Sequence, residues 1–155
     1  MTPNLQFAFD AFIKANPNAI LVGSAAAELH KFPLRRPVTD LDFYMQSDDS
    51  VITPTGFQVA VRNDYYYDDD TAFKRFDFEY VFDHELVKIN VFASNKPKYD
   101  KDYEFVDGVK VTKLTDILTW KLKYSARTKK HFDDVAYALN YLIRLRQDTA
   151  ILTKY

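Results

Sequence analysis

Apolar residues recur at helical spacing in the first segment, where Leu5, Phe9, Phe12 and Ile13 are separated by polar positions. Thr2 ahead of Pro3 supplies a cap and a proline at the first helical position, and Asn16-Pro17-Asn18 stops the run. The pattern predicts a helix over 3–15. Ala19 to Val22 is a short apolar run ending at Gly23, after which Ser24 stands where it can cap a helix through "AAAELHKF". Pro33 and Pro37 bracket a basic loop, Leu34-Arg35-Arg36. Beyond it, "VTDLDFYM" (Val38 to Met45) has the composition of a strand. A period of two sets Asp40 and Asp42 on one face and Leu41, Phe43 and Met45 on the other. Two like charges on neighbouring positions of one face repel, and a positive partner would hold them.

Phe57 to Val61 reads as a strand and Asn63 to Thr71, with its "YYYDDD" run, as a polar, solvated connection. "FDFEYVF" alternates strictly, Phe76, Phe78, Tyr80 and Phe82 taking one face and Asp77 and Glu79 the other. Across a turn at Asp83-His84-Glu85, "LVKINVFA" places Val87, Ile89 and Val91 on one face and Lys88 and Asn90 on the opposite one, which predicts an antiparallel hairpin. Asp107-Gly108 is a type I′ turn signal between two short strands around Tyr103 to Val111. The remainder is helical. Thr115 stands as a cap for "DILTWKLKYSA", a break falls near Thr128, and Phe132, Val135, Ala136, Leu139 and Leu142 form the expected buried stripe of a last helix. The lone Trp120 is expected in the core, and His30, His84 and His131, on separate elements, at the surface without ligand spacing. This order of elements predicts α+β or mixed α/β, with helices packed over one sheet.

Composition narrows the classes. The chain has 155 residues, 47% hydrophobic and 16% aromatic with only three glycines, which excludes a disordered or low-complexity protein and fits one domain over 1–155. Its sheet core is expected at 19–112 and its terminal helices at 114–148. The absence of cysteine excludes disulfides, thiolate zinc sites and cysteine nucleophiles together, and a cytoplasmic setting is expected. Neither a leader peptide nor a run of membrane-spanning length is visible, so no membrane is expected. A net charge of −1 offers no general attraction to nucleic acid, although the stretch from Lys110 to Arg146 is rich in lysine and arginine.

The apolar run into Gly23-Ser24, a short helix, a basic loop and then Asp40-Leu41-Asp42 come in a definite order. From Ala19 to Met45 this resembles the minimal nucleotidyltransferases of the DNA polymerase beta superfamily, whose pattern is hydrophobic-Gly-Gly/Ser, a short helix, then Asp-hydrophobic-Asp/Glu. Residues 25–39 separate Ser24 from Asp40, a spacing similar to the abortive-infection toxin branch, and "RRPVTDLD" is the matching run. The resemblance implies an α+β fold: a small mixed sheet flanked by N-terminal helices and closed by a C-terminal helical layer. It implies transfer of a nucleoside monophosphate from an NTP to an acceptor hydroxyl. Asp40 and Asp42 would bind Mg²⁺, Gly23 and Ser24 the β/γ-phosphates, and Lys121 developing phosphate charge, with Lys130 and Asp134 as a second cluster.

Each assignment has its own chemistry. Glycine lets backbone approach phosphate oxygens, a serine at a helix start adds a hydroxyl to outward N–H groups, and magnesium is usually held by one or two carboxylates plus substrate phosphates. One position departs from the pattern. The third carboxylate is expected on a later strand, and Asn90 of "KINVF" occupies its place. An asparagine can lend an oxygen to a metal but carries no charge and accepts no proton from the attacking hydroxyl. Either catalysis is weakened, or Asp77 or Glu79 supplies the carboxylate, or the fold binds a nucleotide or a partner protein without turnover. The toxin and antitoxin branches imply a tRNA 3′ end or a protein tyrosine as acceptor, and the antibiotic-modifying branch a small molecule; the short chain leaves little room for an acceptor domain, which suggests a macromolecular acceptor, or a partner chain or homo-oligomer.

Overall fold

A computed structural model of the chain describes residues 1–34, 36–47, 50–68, 71–94, 102–125 and 128–154. Helix α1 (Pro3–Ala15) begins as expected, with the Thr2 hydroxyl accepting from the Leu5 N–H at 3.3 Å. Strand β1 (Ile20–Val22) runs directly into α2 (Gly23–Leu29), which starts at Gly23 rather than behind a Ser24 cap. The reason is the backbone: Gly23 takes the left-handed φ of +68° and turns the chain within one residue, leaving Val22 as the cap position and the serine hydroxyl free for another role. After β2 (Asp40–Met45) come three long strands, β3 (Gln58–Asp68), β4 (Thr71–Phe82) and β5 (Glu85–Ser94), then the short pair β6 (Tyr103–Val106) and β7 (Val109–Thr112). Helices α3 (Leu114–Tyr124) and α4 (Lys129–Lys154) close the chain.

The described strands form one mixed seven-stranded sheet in the order β3-β4-β5-β2-β1-β7-β6, in which β2 pairs with β5 and β1 with β7 in parallel and the remaining neighbours are antiparallel. Both predicted turns form. Asp83 and His84 join β4 to β5, and Asp107 and Gly108 join β6 to β7, all four with positive φ as type I′ turns require. The expected connection over 63–71 does not survive. Tyr65, Tyr66 and Tyr67 lie in β3 and pair with Lys74, Phe73 and Ala72, because tyrosine suits a pleated surface and the acidic run falls at the strand end; Asp69 and Asp70 lie outside the described residues.

The main core lies between α1, α2 and one face of the sheet. Phe12 stacks on Phe43 at 4.4 Å between centroids and meets Phe78, while Leu21, Leu41, Ile89 and Val91 are fully buried around them. Each such side chain contributes about 1.5–3 kcal/mol on burial. The alternation of β2, β4 and β5 therefore leaves the opposite face to polar residues, with a small second cluster of Ile20, Tyr44 and Phe73 at one end.

The helical layer differs from expectation in three ways. Thr115 lies inside α3, and the Lys113 carbonyl accepts from the N–H groups of Asp116 and Ile117 at its start. Among the described side chains of α4 the buried ones are Asp134 and Ala138, whereas Phe132 and Leu139 of the expected stripe are exposed; Leu142's side chain is not among those described. A buried ion pair between Asp134 and Lys121 of α3 sets that rotation, since neither charge can be left alone in the interior. Trp120 is half-exposed beside the His131 ring instead of buried. Of the histidines only His84 is fully at the surface; the His30 ring is buried, meeting the Thr112 carbonyl at 2.8 Å and Glu104 at 3.4 Å, and His131 is partly covered. Among the described residues no helix is long and apolar enough to cross a membrane.

Candidate active site

Register brings the polar residues into rows across the open face. Val22 opposes Asp42, Asp42 opposes Asn90, and Asn90 opposes Asp77, so one row crosses β1, β2, β5 and β4. A second row joins Asp40, Lys88 and Glu79. Neighbouring strands stand about 4.8 Å apart, which puts the backbones of Asp42 and Asp77 roughly 10 Å from each other, with Asn90 between them.

Gly23 is fitted to Asp42 as well as to its own turn. A Cβ at Gly23 would lie 2.6 Å from Asp42 Oδ2 and 3.3 Å from Asp42 Cβ, so only glycine lets the carboxylate sit beneath the β1–α2 turn. Asn90 Nδ2 donates to Asp42 Oδ1 at 3.0 Å. Burial pushes the Asp42 carboxyl above the ordinary carboxylate range; the Asn90 hydrogen bond pulls it back, the Asp40 charge adds to the rise, and Lys130 and Arg75 offset part of it. Among the described residues no lysine or arginine forms an ion pair with Asp40 or Asp42.

A separate charged cluster joins the helical layer to the Gly23-Ser24 turn. Asp134 Oδ2 accepts from Lys121 Nζ at 2.9 Å and from Arg36 at 3.0 Å, and the same Arg36 nitrogen reaches Ser24 Oγ at 3.4 Å. Burial alone would raise the Asp134 carboxyl, but Lys121 and then Arg36 outweigh it and hold it below the ordinary range. His131 is pushed the other way, its basicity lowered by burial and then by Lys121 and Lys130.

Of the residues expected from sequence, Gly23, Asp40, Asp42 and Asn90 meet on one face. Ser24 is linked to them through the turn. Lys121 is 2% exposed and bound to Asp134, so Lys130 is the lysine whose charge reaches Asp42. Of the expected second cluster, Asp134 is bonded to Lys121 and Arg36, and among the described residues it has no ion pair with Lys130. Two residues were missed. Arg75 is on the Asp77 side of β4, where Nε donates to Asp77 Oδ1 at 2.8 Å and a terminal nitrogen to Asn90 Oδ1 at 3.4 Å. Extending the period-two alternation back past Phe76 would have found it. Arg36 was visible only as part of a basic loop, and its bond to a residue 98 positions later had no local signal.

The donor set suits one hard cation. Asp42 is a largely buried carboxylate next to a like charge, with a neutral amide as its hydrogen-bond partner, and two carboxylates plus substrate oxygens are a usual magnesium environment. Among the described residues no group of three histidines, cysteines or acidic residues is placed to hold a metal by itself. An open cleft of about 370 Å³ adjoins Asp40 at the start of β2, between Leu5, Val38 and Leu86, with Glu85 and Lys88 also lining it.

No family model and no curated protein matches the chain. Solved structures do. A candidate nucleotidyltransferase from Thermotoga maritima aligns with a TM-score of 0.55 at 14% identity, over 93% of this chain and 95% of its own. Another from Helicobacter pylori aligns with a TM-score of 0.50 at 22% identity, over 77% of this chain. The match spans 56% of the Helicobacter protein's length.

Proposed function

Because the chain has the nucleotidyltransferase fold, we propose that it transfers the nucleoside monophosphate of an NTP to an acceptor hydroxyl, releasing pyrophosphate. The observation that carries this reading is the buried Asp42 carboxylate, set beside Asp40 under the Gly23 turn with no ion-pair partner among the described residues. Asp40 and Asp42 would hold Mg²⁺, which when bound supplies Lewis-acid polarisation of a phosphoryl oxygen. The chain's own residues do the rest. The turn at Gly23 and Ser24 presents backbone and a hydroxyl to the triphosphate, with Arg36 at the serine and Lys130 near Asp42 adding positive charge. The acceptor in this reading is an RNA end or a protein side chain.

A second reading is favoured by Asn90, whose amide is engaged by Asp42 and Arg75 and takes no proton: the face binds a nucleotide without transferring it. Thermal melts with each of the four NTPs, with and without Mg²⁺, test both. A ligand at 100 times its dissociation constant stabilises by about 2.7 kcal/mol, or roughly 5–11 °C for a chain of this size. A Mg²⁺-dependent shift that disappears in Asp40→Ala/Asp42→Ala supports the site, and pyrophosphate release on adding acceptor RNA or protein supports transfer. No shift with any NTP overturns both readings.

A further inference from the structure

Arg75 is held from three directions. Nε donates to Asp77 Oδ1 at 2.8 Å, a terminal nitrogen reaches Asn90 Oδ1 at 3.4 Å, and the guanidinium carbon lies 5.7 Å from the centre of the Phe92 ring. These contacts also orient Asn90. With Nδ2 toward the Asp42 carboxylate and Oδ1 toward the guanidinium, each amide end meets its complement; turned over, it would set an NH₂ against a cation and a carbonyl against an anion. The one oxygen by which Asn90 could ligate a metal is therefore engaged by a fixed positive charge.

That placement bears on how many ions the face can hold. Phosphoryl-transfer sites that use two divalent cations keep them about 3.5–4 Å apart. Asp40 and Asp42 can provide for one. A second ion beyond Asp42 would meet the amide of Asn90 and behind it the Arg75 guanidinium, and the further carboxylate of the same row, Asp77, is already bonded to that arginine. Arginine offers five N–H donors in a fixed plane suited to phosphate oxygens, and Asp77 and Asn90 engage two of its nitrogens.

We propose that Arg75 is the second cation of this site: the face takes one divalent ion, on Asp40 and Asp42, and the Arg75 guanidinium supplies the remaining positive charge to a phosphate of the bound nucleotide. The proposal rests on the reading of Asp40 and Asp42 as the metal pair. It makes Arg75 a specificity determinant for an anionic substrate and explains why an uncharged Asn90 stands where a third carboxylate was expected.

Counting bound Mn²⁺ by electron paramagnetic resonance, on the whole chain saturated with a non-hydrolysable NTP, tests it without reference to activity. One Mn²⁺ per chain is expected for the wild type and for Arg75→Gln, with nucleotide affinity about tenfold weaker in Arg75→Gln and largely recovered in Arg75→Lys. Arg75→Gln/Asn90→Asp should bind two. Two ions in the wild type, or unchanged nucleotide affinity in Arg75→Gln, overturns the role of Arg75 and leaves the metal pair standing. No Mn²⁺-dependent nucleotide binding in the wild type overturns the metal pair and the proposal together.

Discussion

The close fit of Gly23 over Asp42 can be tested by adding one methyl group. In Gly23→Ala the new Cβ meets Asp42 Oδ2 at 2.6 Å and the residue must keep a φ of +68°. Left-handed backbone costs an L-residue about 1–2 kcal/mol. Relieving the overlap moves the carboxylate away from Asn90 and forfeits a charge-assisted hydrogen bond, about 1.5–3 kcal/mol more. Gly108 is the control, because it has a similar φ of +78° and nothing within 4 Å of its added Cβ. Gly108→Ala should therefore lose only the conformational part. The difference between the two variants, about 1.5 kcal/mol or more, corresponds to roughly 3–6 °C in melting temperature for a domain of this size. Circular-dichroism melts of both variants measure it. In an Asp42→Ala background the Oδ2 contact is gone and only the 3.3 Å contact with the Cβ at position 42 remains, so most of the excess cost of Gly23→Ala over Gly108→Ala should disappear. Equal losses in the two single variants, or an unchanged loss in the Asp42→Ala background, would refute the argument that the glycine is required by the carboxylate.

Two further outcomes follow from the buried charges. Asp134→Ala strands Lys121 in the interior and should destabilise by about 3–5 kcal/mol in urea unfolding, whereas Lys121→Met/Asp134→Leu should recover most of that loss. The two shifted carboxyls should act on stability with opposite signs. Asp42, raised in the fold, contributes stability present below the ordinary carboxylate pKa and lost as pH rises through its folded value, so Asp42→Asn should be the more stable protein at neutral pH and lose that advantage in acid. Asp134, lowered in the fold, contributes stability above the ordinary value that is lost as pH falls through its folded one. Urea midpoints across pH 3–8 for the wild type, Asp42→Asn and Asp134→Asn read both.

What could be read in the residues was whatever depends on neighbours in sequence. The alternation of "FDFEYVF" and "LVKINVFA", the positive-φ turns and the strand into Gly23 are local, and with the spacing to Asp40 they carried the open face and the fold. The misreadings arose where a distant partner decides. The face that α4 turns inward is chosen by Lys121 and Asp134, a pair that a purely apolar stripe ignores. A lysine on an amphipathic helix looks the same whether it meets a phosphate or a buried aspartate, which is why Lys121 was expected in the open. The tyrosine run looked like a connection because its acidic tail is turn-like, and only pairing with β4 makes it a strand. Arg36 was legible only as a member of a basic loop, and its bond to Asp134 needed the tertiary fold to be seen.

The docking of α4 also bears on the order in which parts of the molecule come apart. Among the described residues its packing is chiefly against α3 and its buried side chains are those of Asp134 and Ala138, while Phe132, Leu139, Tyr141 and Ile143 face outward. A helix fastened in this way draws little from the main core, so its amides should exchange with solvent through a partial opening well before those of β2, β5 or α1. Such an opening would strip Arg36 and Lys121 of their shared carboxylate beside Ser24, and the last element of the chain would thereby govern the charge at its first glycine turn.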